Sequence, residues 1–252
     1  PTLYLTPKAD ADAVAAETDG IVMAGGGVAV STGSVEDMDG FASGDWWVQD
    51  LAAMIPSHLL DPQPDEMIVD LCAAPGGKTL QLAAAGAHVT AVDRSVPRLR
   101  FLKENLARTG LSATVIAANA DEWRPDAPVM KVLLDAPCSA LGTLRRHPEG
   151  AWIKREAEVA RFPAAQARLL DAAIDMLGPG GTLIYCVCTP LPAEGIDIVE
   201  AALADGRVHR EAITAADVPG FSHAITASGD VLTRPGGESD HDIFFISRLK
   251  KA

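Results

Sequence analysis

Apolar and polar positions along most of this chain come in blocks. Met67–Leu71 is a short apolar run, and after a glycine-rich turn Lys78–Ala85 has a helical pattern. His88–Val92 is a second apolar run closed by Asp93, and Pro97–Thr109 a second helix stopped at Gly110. Thr114–Ala118 and the almost wholly apolar Val129–Leu134 predict two more strands. A long helical stretch, Glu156–Leu177, is interrupted at Pro163 and turns at Pro179-Gly180-Gly181 into a fifth strand, Thr182–Val187. A helix over Ala193–Leu203 and a last strand at Ile243–Ile246 complete the series. Strands alternating with helices at this pace predict right-handed crossovers, and so an α/β fold whose parallel sheet is covered by helices on both faces.

The start of the chain differs. Leu3–Thr6 reads as extended, Asp10–Glu17 as helical and Ile21–Val30 as glycine-rich. This is part of a small α+β module, too short to hold a core unaided. Asp45-Trp46-Trp47-Val48-Gln49-Asp50 then leads into a helix with Leu51, Met54, Ile55, His58 and Leu59 at helical spacing. The expected division is a remnant over residues 1–44 and a main domain over 45–252.

The chain has 252 residues, 48% hydrophobic and 22% charged, which suits a globular protein with a sizeable core. Its longest apolar stretch, Leu82–Val92, is too short for a bilayer and carries His88, so no membrane partner is expected. Pro1 opens without a basic or long apolar segment, so no secretory signal is expected; Leu3-Tyr4-Leu5 reads as the middle of a domain, so the chain is expected to start inside a longer protein. Cys72, Cys138, Cys186 and Cys188 lack the paired spacing of a zinc site and the short secreted frame of a disulfide scaffold. Reduced thiols, a cytoplasmic location and no metal follow. The net charge of −13 argues against nucleic acid as a partner. However, Lys131, Arg145, Arg146, His147, Lys154, Arg155, Arg161 and Arg168 crowd the middle of the chain, as a local basic patch or as solvated helix faces.

Chemistry collects at the predicted strand ends, where ligands of open α/β sheets bind. Ala74-Pro75-Gly76-Gly77 follows the first main strand and opens a helix, so backbone and helix N–H groups can approach a nucleotide-like cofactor. The pattern is neither G-x-G-x-x-G nor a Walker loop. Asp93 closes the second strand, placed for ribose hydroxyls or for a helix N-cap, and the two roles are compatible. Asp135-Ala136-Pro137-Cys138 and Cys186-Val187-Cys188-Thr189-Pro190 follow the fourth and fifth strands. Two thiols beside a cofactor loop point to a methyltransferase that carries its own nucleophile. Cys186 and Cys188, two apart on a strand, face one side, and either can be presented to a pocket; Cys188 lies nearer the carboxyl end. Cys72 and Cys186 read as small buried hydrophobes.

DLCAAPGGKTLQLA (70–83), AVDRSVPRLRFLKENLARTGL (91–111), LLDAPCSALGTLRRHPE (133–149) and GGTLIYCVCTPLPAEG (180–195) together resemble the RsmB/Sun (Fmu) family of bacterial RNA cytosine-5 methyltransferases, from about Asp45 to the C-terminus. The resemblance implies a Rossmann-like catalytic domain using S-adenosyl-L-methionine. Residues 1–44 then resemble the tail of the small RNA-recognition-like domain that precedes it, and the family's further N-terminal RNA-binding domain is not found in this sequence. Cys72, Ala73, Ala74, Pro75, Gly76, Gly77 and Lys78 would form the cofactor loop, and Asp93 would hold the ribose. Asn119 stands where the family has an acid near the adenine, with Asp121 as the alternative. Asp135 would sit near both methyl donor and base.

Carbon 5 of cytosine is a poor nucleophile, and addition of a thiolate at carbon 6 makes it enamine-like. By motif position Cys188 is that nucleophile, Cys138 assists release, and Asp135 hydrogen-bonds the cytosine edge and stabilises the adduct. Val187 stands where the family usually has Thr, a change that removes no reacting group. Arg145, Arg146 and Lys154 are expected phosphate contacts. Trp46, Trp47 and Trp123 either stack a base or are buried, and Gln49 and Asp50 are expected to line the pocket. The expected enzyme is a monomer acting on accessible RNA, foremost small-subunit ribosomal RNA. Its rivals are a DNA cytosine-5 methyltransferase using Cys138 and a non-catalytic RNA-binding scaffold, which would have no need of both thiols and Asp135.

Overall fold

The computed structural model describes residues 1–31, 33–236 and 239–252. Its first sheet is small. β1 (Leu3–Pro7), β2 (Ile21–Val22), β3 (Val28–Val30) and β4 (Trp46–Val48) pair antiparallel in the order β2-β3-β1-β4, with helix α1 (Ala11–Thr18) across them. Asp10 caps α1 by accepting from the N–H groups of Asp12 and Ala13. Leu5, Val14, Val28, Val30 and Trp46 form its core. That sheet takes its fourth strand from residues just beyond the glycine-rich module, because Trp46 is the side chain large enough to close so small a core. It docks on the main domain through Lys8, whose Nζ donates to Thr109 O at 2.7 Å, and through Arg108, which donates to Phe41 O at 2.7 Å and Trp46 O at 3.1 Å.

α2 (Leu51–Leu59) leads into the second sheet. Its parallel centre is β5 (Met67–Leu71), β6 (His88–Asp93), β7 (Thr114–Ala117), β8 (Val129–Asp135) and β9 (Leu177–Val187). These are linked by α3 (Gly77–Ala84), α4 (Val96–Thr109), the short helices α5 (Gly150–Ile153) and α6 (Glu156–Val159), and α7 (Phe162–Met176). After α8 (Ile196–Leu203) the chain adds β10 (Val208–Arg210), β11 (Val231–Leu232) and β12 (Phe245–Lys251), giving the order β10-β12-β9-β8-β5-β6-β7 with β11 on β12.

The α/β class and the helix-covered parallel centre stand as expected. The sheet is not parallel throughout, however: β12 runs antiparallel to β9, with Phe245 opposite Val187 and Lys250 opposite Thr182. The chain re-enters the sheet at the edge where β9 leaves it, so β12 can only run back. Pro179-Gly180-Gly181 is not a turn before a strand but lies within β9, where the register on β8 slips between Val129 and Lys131. The apolar strands Val132–Leu134 and Leu183–Val187 are buried on both faces, sealed by α2 and α3 on one side and α7 and α8 on the other. That rigidity fixes the strand ends, where the thiols sit.

Candidate active site

The turn after β5 is built by conformation. Cys72 has a left-handed backbone (φ 62°), and Gly76 (φ 112°) sits where an added Cβ would meet Leu102 at 3.0 Å. The turn delivers Gly77, Lys78 and Thr79 as the first turn of α3, whose N–H groups have no partner within the helix. Asp93 is 4% exposed and braces this turn: Oδ2 accepts from Ala74 N at 3.1 Å and Oδ1 from Ser95 N at 2.8 Å. A carboxylate keeps further lone pairs after two such bonds. Ala73 and Ala74 are buried and Pro75 exposed. Asn119, just past β7, is exposed and donates to Glu122 Oε2 at 3.2 Å, while Asp121 pairs with Arg168 at 3.7 Å.

Lys78 does not lie with the cofactor loop alone. Its buried Nζ donates to Asp135 Oδ2 at 2.7 Å and rests 5.0 Å from the centre of the Phe244 ring. Burial works against its charge, but the neighbouring Asp135 and thiols outweigh it and hold the ammonium protonated. The Cys186 thiol donates to the other oxygen of Asp135 at 3.6 Å, and burial above all keeps that thiol protonated.

Cys138 and Cys188, 50 residues apart in sequence, bring their sulfurs to 3.3 Å. The Cys138 thiol is raised well above its ordinary value, first by its hydrogen bond to Cys188 and then by burial. The half-buried Cys72 thiol is likewise raised, by desolvation first and then by Asp135 and Asp93.

What holds the two thiols together was not read from the sequence. Glu194 is fully buried; Oε2 accepts from Ser139 N at 2.8 Å and Gln166 Nε2 at 3.0 Å, and Oε1 from Thr189 Oγ1 at 3.4 Å. Ser139 and Thr189, the residues after Cys138 and Cys188, also share a 3.0 Å hydroxyl bond. Gly142 donates to Cys188 O at 2.9 Å and accepts from Ile243 N at 3.0 Å. The only signal in the sequence was an acid inside an apolar stretch, TPLPAEG, within a motif already singled out.

The expected phosphate contacts are placed differently. Arg145 is mostly buried and bound by Asp50 at 2.9 Å, Asp240 at 3.3 Å and Asp242 at 3.5 Å; Arg146 grips Asp242 at 2.6 Å. Arg145 ties the loop after Cys138 to the N-cap of α2 and to the segment before β12, and Arg146 ties it to that segment, a structural use of their charge. Lys154 donates to Ser139 O, again beside Cys138. Gln49 is a junction: it accepts from Trp47 Nε1 (2.7 Å) and Thr6 Oγ1 (3.1 Å) and donates to Gln81 (2.7 Å) and Ala53 O (3.0 Å). A cavity of about 390 Å³ opens between the small sheet and this loop, its walls including Tyr4, Asp50, Cys72, Lys78, Asp135 and Arg145. Trp46 and Trp47 are buried and Trp123 half-buried, so packing accounts for all three.

An open sheet with a glycine turn after β5, Asp93 at the end of β6 and Asp135 at the end of β8 has the arrangement of a Rossmann-like methyltransferase domain. The chain belongs to the 16S rRNA methyltransferase RsmB/F family, whose model matches residues 57–250. A ribosomal RNA small subunit methyltransferase B from Pseudomonas syringae pv. tomato is 38% identical over 257 residues, covering 99% of this chain and 55% of that protein. The chain spans about half the length of the curated relatives it matches. Among solved structures, PH0851 superposes with a TM-score of 0.87 at 27% identity, over 99% of this chain and 59% of that one. NSun6 from Pyrococcus horikoshii, solved with SFG, does so with 0.75 at 29%, over 87% and 56%. S-adenosyl-L-methionine is the cofactor of this methyltransferase fold, and the left-handed turn, open helix N-terminus and braced Asp93 fit it. Among the described residues no helix is long and apolar enough to cross a membrane.

Proposed function

We propose that this chain forms 5-methylcytosine in RNA, with small-subunit ribosomal RNA the substrate, through a covalent Cys188 adduct and release assisted by Cys138. One observation carries the reading: the sulfurs of Cys138 and Cys188 are 3.3 Å apart, so both thiols can act on one base, and the place of Cys188 in the later motif assigns it the attack. A DNA enzyme attacking through Cys138 would have no need of the Cys188 thiol beside it. In support of the ribosomal substrate stand the family's description and the relatives' names. Residues 1–44, with β4 completing their sheet, serve in this reading as the end of an RNA-recognition-like domain before the catalytic domain, and the protein works as a cytoplasmic monomer.

S-adenosylmethionine, held by residues 72–78 and Asp93 with Asn119 or Asp121 toward its adenine, supplies an electrophilic methyl group. The chain's own residues do the rest. Cys188 Sγ bonds to carbon 6 of cytosine, and the ring's electrons move toward N3 and O2, where the buried Lys78 ammonium beside Asp135 offsets the growing charge. Asp135 accepts from the exocyclic amine. Carbon 5 takes the methyl group and still carries its proton. The bond that raised the Cys138 thiol is now gone, because the Cys188 sulfur is bonded to carbon. Cys138 gives its proton to solvent and takes the proton from carbon 5. The electron pair restores the 5,6 double bond, and Cys188 leaves as thiolate.

The test is a Cys138→Ala variant incubated with S-adenosylmethionine and unmodified small-subunit ribosomal RNA, run on a denaturing gel. A covalent protein–RNA band should accumulate and vanish when Cys188 is also changed to Ala. An adduct surviving the second change would reverse the assignment of the two thiols.

A further inference from the structure

The loop that carries Cys138 runs on into α5, and there the chain does something costly. Trp152 is 81% exposed, the most open of the large hydrophobic side chains among the described residues, and its neighbour Ile153 on the same short helix is 66% exposed. A large aromatic ring is rarely left this open unless something covers it in use. The helix is held against the site: Lys154, two residues on, donates to the carbonyl of Ser139, the neighbour of Cys138.

Charge identifies the occupant. Arg145 and Arg146 are occupied by carboxylates, as are Arg168, Arg207, Arg210 and Arg248. Arg155 and Arg161, which follow Trp152 on the same stretch, are exposed and form no ion pair among the described residues. An open aromatic face followed along the chain by two exposed guanidinium groups that form no ion pair among the described residues is a combination suited to the stacked bases and phosphates of a single strand.

We propose that Trp152 is a base-stacking platform for single-stranded RNA at the mouth of the thiol site, with Arg155 and Arg161 taking the adjacent phosphates. This rests on the RNA-methyltransferase reading, and it moves the RNA contacts off Arg145 and Arg146.

Two readouts keep the platform and the reading apart. The first is tryptophan fluorescence during titration with a short, unstructured, cytidine-bearing RNA. The single strand should quench the wild type and its paired duplex should not; Trp152→Phe, leaving only the covered Trp46, Trp47 and Trp123, should lose the quench. The second is methyl transfer to the same RNA. Trp152→Ala should raise the KM for RNA roughly tenfold, within the range of one lost base–aromatic stack, with kcat and cofactor affinity unchanged. Trp152→Phe should restore most of the affinity and Trp152→Leu little. An unchanged KM in Trp152→Ala overturns the platform, as does rescue by Leu equal to Phe. A dimer that Trp152→Ala dissociates would give this face to a second copy and also overturn it. If the wild type methylates no RNA while the single strand still quenches Trp152, the proposed function fails and the platform stands.

Discussion

The thiol pair depends on a residue with no side chain. Gly142 is pinned from both sides: a Cβ there would lie 2.1 Å from Ile243 O and 2.9 Å from Cys188 O. Both obstacles are backbone, so neither can rotate away. Gly142→Ala should therefore push the Cys188 carbonyl and its sulfur out of line, at a cost of roughly 1–3 kcal/mol in stability. Methyl transfer should fall at least tenfold while cofactor affinity, measured by calorimetry, holds; loss of both together would mean a collapsed fold instead. Nothing in the sequence marks this glycine, since its obstacles lie 46 and 101 residues away. Cys138, Cys188, Asp135 and Asp93 were legible because strand ends are legible. The carboxylates around Arg145 were hidden for the same reason Gly142 was missed: Asp50, Asp240 and Asp242 come from distant segments.

At the scale of elements, the central βαβ units follow from local pattern alone, because strands buried on both faces must be continuously apolar. The edges do not. β10 and β11 are three and two residues long and have no apolar signature, and the apolar run Ile243–Ile246 marks only the start of β12, which continues through Arg248, Lys250 and Lys251. The turn between β9 and α8 is likewise silent until its partners are seen. There Glu194 gathers Ser139 N, Gln166 and Thr189 and so joins the two thiol-bearing loops. Glu194→Ala would leave these buried donors unpaired, at about 1–3 kcal/mol each. The expected outcome is a lower melting temperature, together with a kcat loss that exceeds any change in the KM for S-adenosylmethionine. Glu194→Gln keeps an acceptor oxygen and should recover part of the stability. A variant that melts early yet turns over normally would show that the clamp stabilises the fold without aligning the thiols.

At the scale of the whole molecule, the proposed function asks a chain with net charge −13 to admit a polyanion. Electrostatics then act in opposite directions at two ranges. On approach, out to the Debye length of about 30 Å at 0.01 M salt and about 10 Å at 0.1 M, the RNA would meet the net charge and be repelled. At contact it would meet Arg155 and Arg161 and be held, each phosphate contact steepening the salt dependence of affinity by about 0.7 for a single strand. Added salt should thus raise the association rate with single-stranded RNA, the reverse of a steered encounter, and raise the dissociation rate more. Arg155→Gln should make the equilibrium salt slope shallower by about 0.7 and leave the salt response of association almost unchanged, because one charge in so large an excess barely alters the far field. Stopped-flow binding at several salt concentrations reads both. Association that slows as salt is added would mean that the approaching RNA meets a basic face larger than these two arginines, and the interface would then have to be sought elsewhere on the surface.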